Sequence, residues 1–312
     1  MQYLGEFISL FVAFSWTVAA LSCEIGSKHM GVVVLNVWRM GLALLFSCCI
    51  SAWLMGDFLP VHASLESWTW LLFSGVVGYF FGDWCLFNAY LTIGSRYGQL
   101  FMTLAPMFAA FSAWALIGQT LTASALLAML VTLSGIAISV FGRGGKNHLL
   151  SLQLPFKGVL FGIGAGLGQG LGLVLSKIGL DAYTADLMAS GFSGNVDYIS
   201  FSANSVRCVA GLACFVAWLG VRRGMPGFRK SLHDRAGLSA MMVAVFSGPV
   251  IGVACSLMAV QYVEAGIAST IMAISPILIL LPSYWLFRQK ITLQSIVGAS
   301  VSVVGVSLFF LL

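Results

Sequence analysis

The sequence predicts an all-α integral membrane protein of ten transmembrane helices arranged as two inverted five-helix repeats. Three observations carry that expectation. Hydrophobic residues make up 60% of the chain and charged residues only 8%, against about 25% charged in a soluble domain, too few to cover a water-facing surface. Apolar runs of about 20 residues, the length that crosses a bilayer as a helix, recur from end to end. The stretch Gly82–Pro106 also occurs twice. A shift of 170 residues lays Gly252–Pro276 over it without a gap, with Gly82 on Gly252, Cys85 on Cys255, Ala89 on Ala259, Met102 on Met272 and Pro106 on Pro276. Self-similarity of this kind has to be read before a fold is assigned. The apolar runs are continuous rather than alternating, which excludes a β-barrel.

The spans fall at 4–25, 31–54, 67–91, 96–117, 122–141, 156–178, 198–221, 237–262, 266–287 and 292–312. The first has no basic leader and reads as a retained span. It aligns with the sixth, Trp16 over Gln169 and Glu24 over Lys177. The second carries Asn36-x-x-Arg39, matched by Asn204-x-x-Arg207 in the seventh. The third and eighth hold Gly78 and Gly248, and the fifth and tenth hold Gly135 and Gly305. The segment 142–155 divides the chain into repeats 1–145 and 146–312, and 55–66, 179–197 and 222–236 are the other long connections. In the sixth span Gly158, Gly162, Gly166 and Gly170 form a small-residue ridge for close helix packing rather than a phosphate loop, since no strand precedes them.

An odd number of spans per repeat turns the second copy upside down. Charge agrees: twelve of the thirteen loop and flank cations, among them Lys28, Arg96, Arg222, Arg223, Arg229 and Lys230, fall in odd-numbered loops, and only Lys177 falls on the other side. The positive-inside rule then makes the odd loops cytoplasmic and places both termini outside. The net charge of +5 is this topology signal and gives no ground for nucleic-acid binding. Cys48, Cys49, Cys85, Cys208, Cys214 and Cys255 sit inside apolar spans as small hydrophobes.

Arg39 and Arg207 each lie about eight residues inside a span, roughly 12 Å at 1.5 Å per residue. Asp83 lies as deep in the third span, at the same depth and from the same face as Arg39. An Arg or Asp near the centre costs about 2.5–3.5 kcal/mol to insert, so such groups face the bundle interior or a watery cavity. Arg39 and Asp83 form either a structural ion pair or a proton-exchanging site. The repeat partner of Asp83 is Val253, which leaves Arg207 to hold an anionic substrate group or to snorkel towards Glu264 or Asp197. Asn36 and Asn204, three residues before their arginines, orient the guanidinium groups or touch substrate. Trp16 and Gln169 lie near these depths in their own spans. Gln99, Met102, Thr103 and Pro106 share one face of the fourth span, as Ser269, Met272, Ala273 and Pro276 do in the ninth. The two prolines are candidate mid-helix hinges. His29, His62, His148 and His233 are scattered, and no H-E-x-x-H, G-x-S-x-G or C-x-x-C occurs, so neither an enzyme nor a metal or cofactor is expected.

With GDWCLFNAY from Gly82, LAP at 104–106, ISP at 274–276 and the paired Gly135 and Gly305, the chain resembles the EamA-type permeases of the drug/metabolite transporter superfamily over nearly its whole length. The resemblance implies a carrier that moves small solutes by alternating access through a central cavity. It also implies cytoplasmic termini, against the charge bias. The small multidrug members carry a glutamate in mid first span, where this chain has Trp16. The expected function is an inner-membrane, multi-pass exporter of small polar or anionic, amino-acid-like metabolites, with a small-molecule substrate and the bilayer as its partners. A lipophilic-drug exporter and a non-transporting membrane scaffold stand as alternatives.

Overall fold

A computed structural model describes residues 3–120, 122–143, 150–152, 154–190, 199–262, 271–288 and 291–311. Ser269, Asp197 and Glu264, to which the sequence assigned roles, lie outside these residues. The chain is helical: α1 (Leu4–Met30), α2 (Val32–Met55), α3 (Leu65–Gly75), a π-helical segment (Val76–Gly82), α4 (Asp83–Met102), α5 (Ala105–Ile117) and α6 (Ala123–Val140) precede a short antiparallel ribbon of β1 (Phe141–Arg143) and β2 (Leu150–Leu152). Then follow α7 (Phe156–Ala189), α8 (Ile199–Val221), α9 (Met225–Ser231), α10 (Arg235–Val245), a second π-helical segment (Phe246–Val250), α11 (Ile251–Tyr262), α12 (Ser275–Leu278), α13 (Leu280–Phe287) and α14 (Leu293–Leu311). Among the described residues six helices are long and apolar enough to cross a membrane, and four shorter apolar helices accompany them.

Three sequence expectations change. The helix of the sixth span does not stop at 178: α7 runs to Ala189, because 180–189 contains neither Pro nor Gly to stop it. Its far end is tied to α3 by Asp186, whose Oδ2 accepts from Ser67 Oγ at 2.6 Å and from the Ser64 N–H at 2.7 Å. These bonds, Ser67 foremost, hold the Asp186 carboxyl below the usual carboxylate range. The tie is therefore present at neutral pH and lost only as pH falls through that lowered value. The connection at 222–236 contains α9, pinned to α2 where Trp38 Nε1 donates to Ser231 Oγ at 3.1 Å and the Trp38 ring stacks on Phe228. The prolines are not mid-helix kinks. The helix breaks first, at Thr103–Leu104 and at the equivalent Ala273–Ile274, and Pro106 and Pro276 fall in the first turn of the next helix. There the missing N–H costs nothing, because the first-turn donors have no intrahelical partner.

Two glycines make the turns on the face that holds the α1–α2 link. Gly31 alone joins α1 to α2 with φ 80°, and Gly94 interrupts α4 with φ 84°, a region glycine enters without steric cost. The second break leaves helix donors free, and buried Glu24 takes one of them. Its Oε2 accepts the Ser95 N–H at 2.6 Å while Oε1 pairs with Lys28 at 2.5 Å. On the same face His29 meets Asp234 at 3.1 Å.

In lipid the hydrophobic effect does not draw apolar helices together, so close packing and small residues must. Helix α7 carries two glycine ridges, of which the sequence reading found one. Gly158, Gly162, Gly166 and Gly170 lie against Ile93, Phe101, Leu104 and Ala105 on α4 and α5. Gly164, Gly168 and Gly172 lie against Cys85, Gly82 and Gly78. The fifth and tenth spans, α6 and α14, pack through reciprocal repeat positions, Gly135 facing Ser302 and Gly305 facing Thr132, and Gly298 faces Ser139. One index falls as the other rises, so α6 and α14 run antiparallel. The same is true of α2 and α8, where Ser47 meets Asn204 and Met40 meets Gly211.

Candidate functional site

The depth-matched pair forms at the centre of the bundle. Arg39 Nη2 on α2 bonds Asp83 Oδ2 at the start of α4, with both side chains nearly buried, 13% and 6% exposed. Asn36 takes the orienting role: its Oδ1 accepts from Arg39 Nε and Nη2 at 3.4 Å each, while its own amide donates to Val32 O at 3.0 Å. The guanidinium lies over the Phe87 ring, 4.9 Å from its centroid. The other carboxylate oxygen is also engaged, because Gln169 Nε2 donates to Asp83 Oδ1 at 2.9 Å and to Gly78 O at 3.3 Å. Gln169 reaches in because Gly168 and Gly172 of α7 and Gly78 and Gly82 of the opposing helix let the two backbones approach.

The Gly78 carbonyl lies within the first π-helical segment, where the wider turn loosens the normal ladder. Such segments concentrate at functional sites. The second π-helical segment stands at the repeat-equivalent place, Phe246 to Val250 against Val76 to Phe80. A carbonyl there is captured as well, with Ser15 Oγ donating to Ser247 O at 2.7 Å. Each segment is thus held by a polar side chain from the middle of the first span of the other half. The repeated Gly78 and Gly248 mark these places in the sequence; the π geometry itself has no sequence signal.

Two cavities border the pair, and a third adjoins them at Trp16. One of about 360 Å³ is lined by Trp16, Cys23, Arg39, Asp83, Tyr90 and Gln99, with Met102 and Gln169. A second of about 270 Å³ takes in Trp16, Arg39, Tyr79, Asp83, Gln169 and Asn204. A third, also about 270 Å³, is mostly apolar, lined by Trp16, Gln99, Met102, Pro106, Met272 and Pro276. Trp16 borders all three, and Gln99 donates to the Tyr90 hydroxyl at 2.9 Å. Of the residues singled out from the sequence, Asn36 and Arg207 line none of these cavities. Asn36 is fully buried.

The carboxylates expected near Arg207, Glu264 and Asp197, lie outside the described residues, and among the described residues its neighbour is aromatic. Its guanidinium lies 4.4 Å from the centroid of the Tyr79 ring, and its buried Nε makes no hydrogen bond among the described residues. Asn204 does not orient it. Asn204 accepts from the Tyr79 hydroxyl and donates to Ser47 Oγ at 2.8 Å. An aromatic face attracts a cation placed over it, and Tyr79, an ordinary span aromatic in the sequence, gave no sign of that part. Among the described residues no cluster of His, Cys, Asp and Glu could hold a metal.

The family model described as "EamA-like transporter family" matches residues 3–141 and again 156–311. The chain belongs to the EamA-like transporter family: it is a multi-pass membrane protein of the drug/metabolite transporter type. One solved structure, described only as "Crystal structure of protein", is 15% identical, covers 99% of this chain and 97% of its own, and superposes with a TM-score of 0.56, a likeness of fold. No curated protein matches.

Proposed function

We propose that this transporter is a secondary-active permease that exports small polar or anionic, amino-acid-like metabolites by alternating access, with Asp83 exchanging the coupling proton. Its ten spans form two inverted five-helix repeats, 1–145 and 146–312, in the inner cell membrane. The observation that carries this reading is a buried Arg39–Asp83 pair bordering cavities lined from both halves of the chain. A carboxylate and a guanidinium side by side offer a bound solute both signs of charge, and the cost of burying them is accepted where they mark a substrate or proton path. Trp16, Gln99, Met102, Gln169, Asn204 and Met272 shape the space. Asn36 aims Arg39 from behind, and Arg207 adds positive potential through Tyr79. Pro106 and Pro276, after their paired breaks, are where the fourth and ninth spans bend. In proteoliposomes with an imposed pH gradient, a panel of labelled amino acids and small organic acids should show counterflow of at least one member. Counterflow of none of them would reject the substrate class.

The apolar chamber between Met102, Pro106, Met272 and Pro276 favours a second reading, a lipophilic-drug exporter. Drug-stimulated proton efflux without metabolite counterflow would select it. For orientation, the cations Arg222, Arg223, Arg229 and Lys230 in and beside α9 support a cytoplasmic position of that face. A Leu232→Cys protein should be shielded from impermeant thiol reagents in intact cells; labelling there would reverse the topology.

A further inference from the structure

We propose that residues 95–102 are the gate that closes the transport path on the Gly31 face, with Glu24 and Tyr90 as its two latches. This rests on the reading of the central cavities as the path, and it names what alternating access must open on that side. A fourth cavity, of about 490 Å³, lies beyond the 360 Å³ one, between the Gly94 turn and Pro155. It is lined by Glu24, Lys28, Thr92, Arg96 and Tyr97, and among the described residues the two cavities have only Tyr90 in common. Tyr90 is 2% exposed. It stands between a charged vestibule and the space beside Arg39 and Asp83. Successive residues of α1 fall on either side of it, Cys23 in the inner cavity and Glu24 in the outer.

Residues 95–102 form a short helix bounded at both ends, by Gly94 with φ 84° and by the break at Thr103–Leu104. Element ends of this kind absorb the backbone rotation of a hinge, so the segment can swing while its neighbours keep their ladders. Its last residue, Met102, lines both the 360 Å³ cavity and the apolar chamber, and a swing would therefore widen the path. The outer end is held by Glu24, a buried carboxylate apart from the Arg39–Asp83 pair. Its bond from the Ser95 N–H at 2.6 Å is charge-assisted. Its other oxygen holds Lys28, whose ammonium lies 4.0 Å from the centroid of the Phe287 ring at the end of α13. The latch thus reaches from the first span to the fourth and, through Lys28, to the ninth in the other half. The inner side is held by Tyr90, whose hydroxyl accepts from Gln99 at 2.9 Å and whose ring stacks on Phe87 at 5.6 Å. Gly98 makes room for that ring, since a Cβ there would overlap its Cδ1 and Cε1. The repeat does not copy the carboxylate: Lys177 stands at the place of Glu24, more than half exposed, and bonds Asp181 of its own helix at 3.0 Å.

The test is labelling of the full-length protein with an impermeant thiol reagent in right-side-out and in inverted vesicles, read by residue-resolved mass spectrometry. Gly248→Cys reports from inside the gate, where an added Cβ meets only Ala19 at 3.6 Å. Thr92→Cys reports from the vestibule, and the vesicles in which the reagent reaches it are those that expose the Gly31 face. Adding Glu24→Gln to Gly248→Cys should raise labelling at 248 from the Gly31 face at least about tenfold, the change that 1.4 kcal/mol of latch energy sets. Tyr90→Phe keeps the ring and removes the bond to Gln99, so it should raise the same rate about threefold, as the loss of one neutral hydrogen bond does. It carries the test if Glu24→Gln does not fold. Labelling at 248 from the opposite face, and at 92, should not rise in either variant. An unchanged rate from the Gly31 face in either folded variant rejects the gate. A rise from both faces rejects it too, because the bundle has then loosened as a whole. The labelling needs no substrate, so its outcome is separate from that of the transport reading. Metabolite counterflow without the one-sided rise removes only the gate, and the one-sided rise without counterflow removes only the substrate class.

Discussion

Asp83→Asn should abolish pH-driven transport, a fall of at least about 100-fold, and should destabilise the protein at the same time. The Asn side chain keeps the shape and still accepts from Gln169, but it leaves the Arg39 cation without its counter-charge at 13% exposure. Removing one partner of a buried ion pair costs about 3–5 kcal/mol, whereas replacing both by neutral groups is often neutral. The 100-fold figure corresponds to about 3 kcal/mol. The double variant Arg39→Gln/Asp83→Asn separates structure from function. Thermal unfolding in detergent should return near the wild-type midpoint, because no orphaned charge remains. Transport should stay lost, because neither a proton acceptor nor a substrate cation site remains. If the double variant regains proton-driven flux, Asp83 is a structural residue and the coupling role is wrong.

The second large effect belongs to a glycine. Gly168→Val should prevent assembly of the bundle or lower its stability by about 3 kcal/mol, the upper part of the range for overpacking. A Cβ at 168 would stand 2.6 Å from Gly82 Cα and 2.9 Å from Gly82 N. These are backbone atoms, so relief requires α7 to move away from α4 as a whole. That motion would also draw Gln169 off Asp83 and Gly78 O, so Gly168 connects packing directly to the site. The matched control is Gly41→Ala in the middle of α2, where an added Cβ meets nothing within 4 Å. Ala there should raise stability by about 0.5–1 kcal/mol through helix propensity. Size-exclusion monodispersity and the melting midpoint of the two proteins are the readout. A well-folded Gly168→Val protein with an unchanged midpoint would show that the backbones are not in contact there.

Much of the site was legible because depth in a membrane is a coordinate that a sequence carries. Counting residues from the span ends put Arg39 and Asp83 on one level, and charge gave them a reason to meet. The same count could not place Arg207, since it says nothing about which side of a helix faces the cavity. Arg207 and Asn36 turned out to stand behind the walls, and Asn204 serves Tyr79 and Ser47 instead of Arg207. Glycine spacing showed one ridge on α7 and hid the other, because two ridges interleaved along one helix read simply as many glycines.

The sequence by itself determined the class of protein, the duplication and the unlike residues at Asp83 and Val253, because composition, apolar run length and repeat register are properties of a linear string. Tertiary structure alone decided what the duplicated parts do to one another. The paired π-helical segments, the reciprocal contact of Gly135 with Ser302 and Gly305 with Thr132, and the bond from Gln169 to Asp83 arise between helices 86 or more residues apart. Local sequence sets a helix and its period. Only packing, once two glycine faces have brought backbones together, chooses which carbonyl is set free and which side chain reaches it.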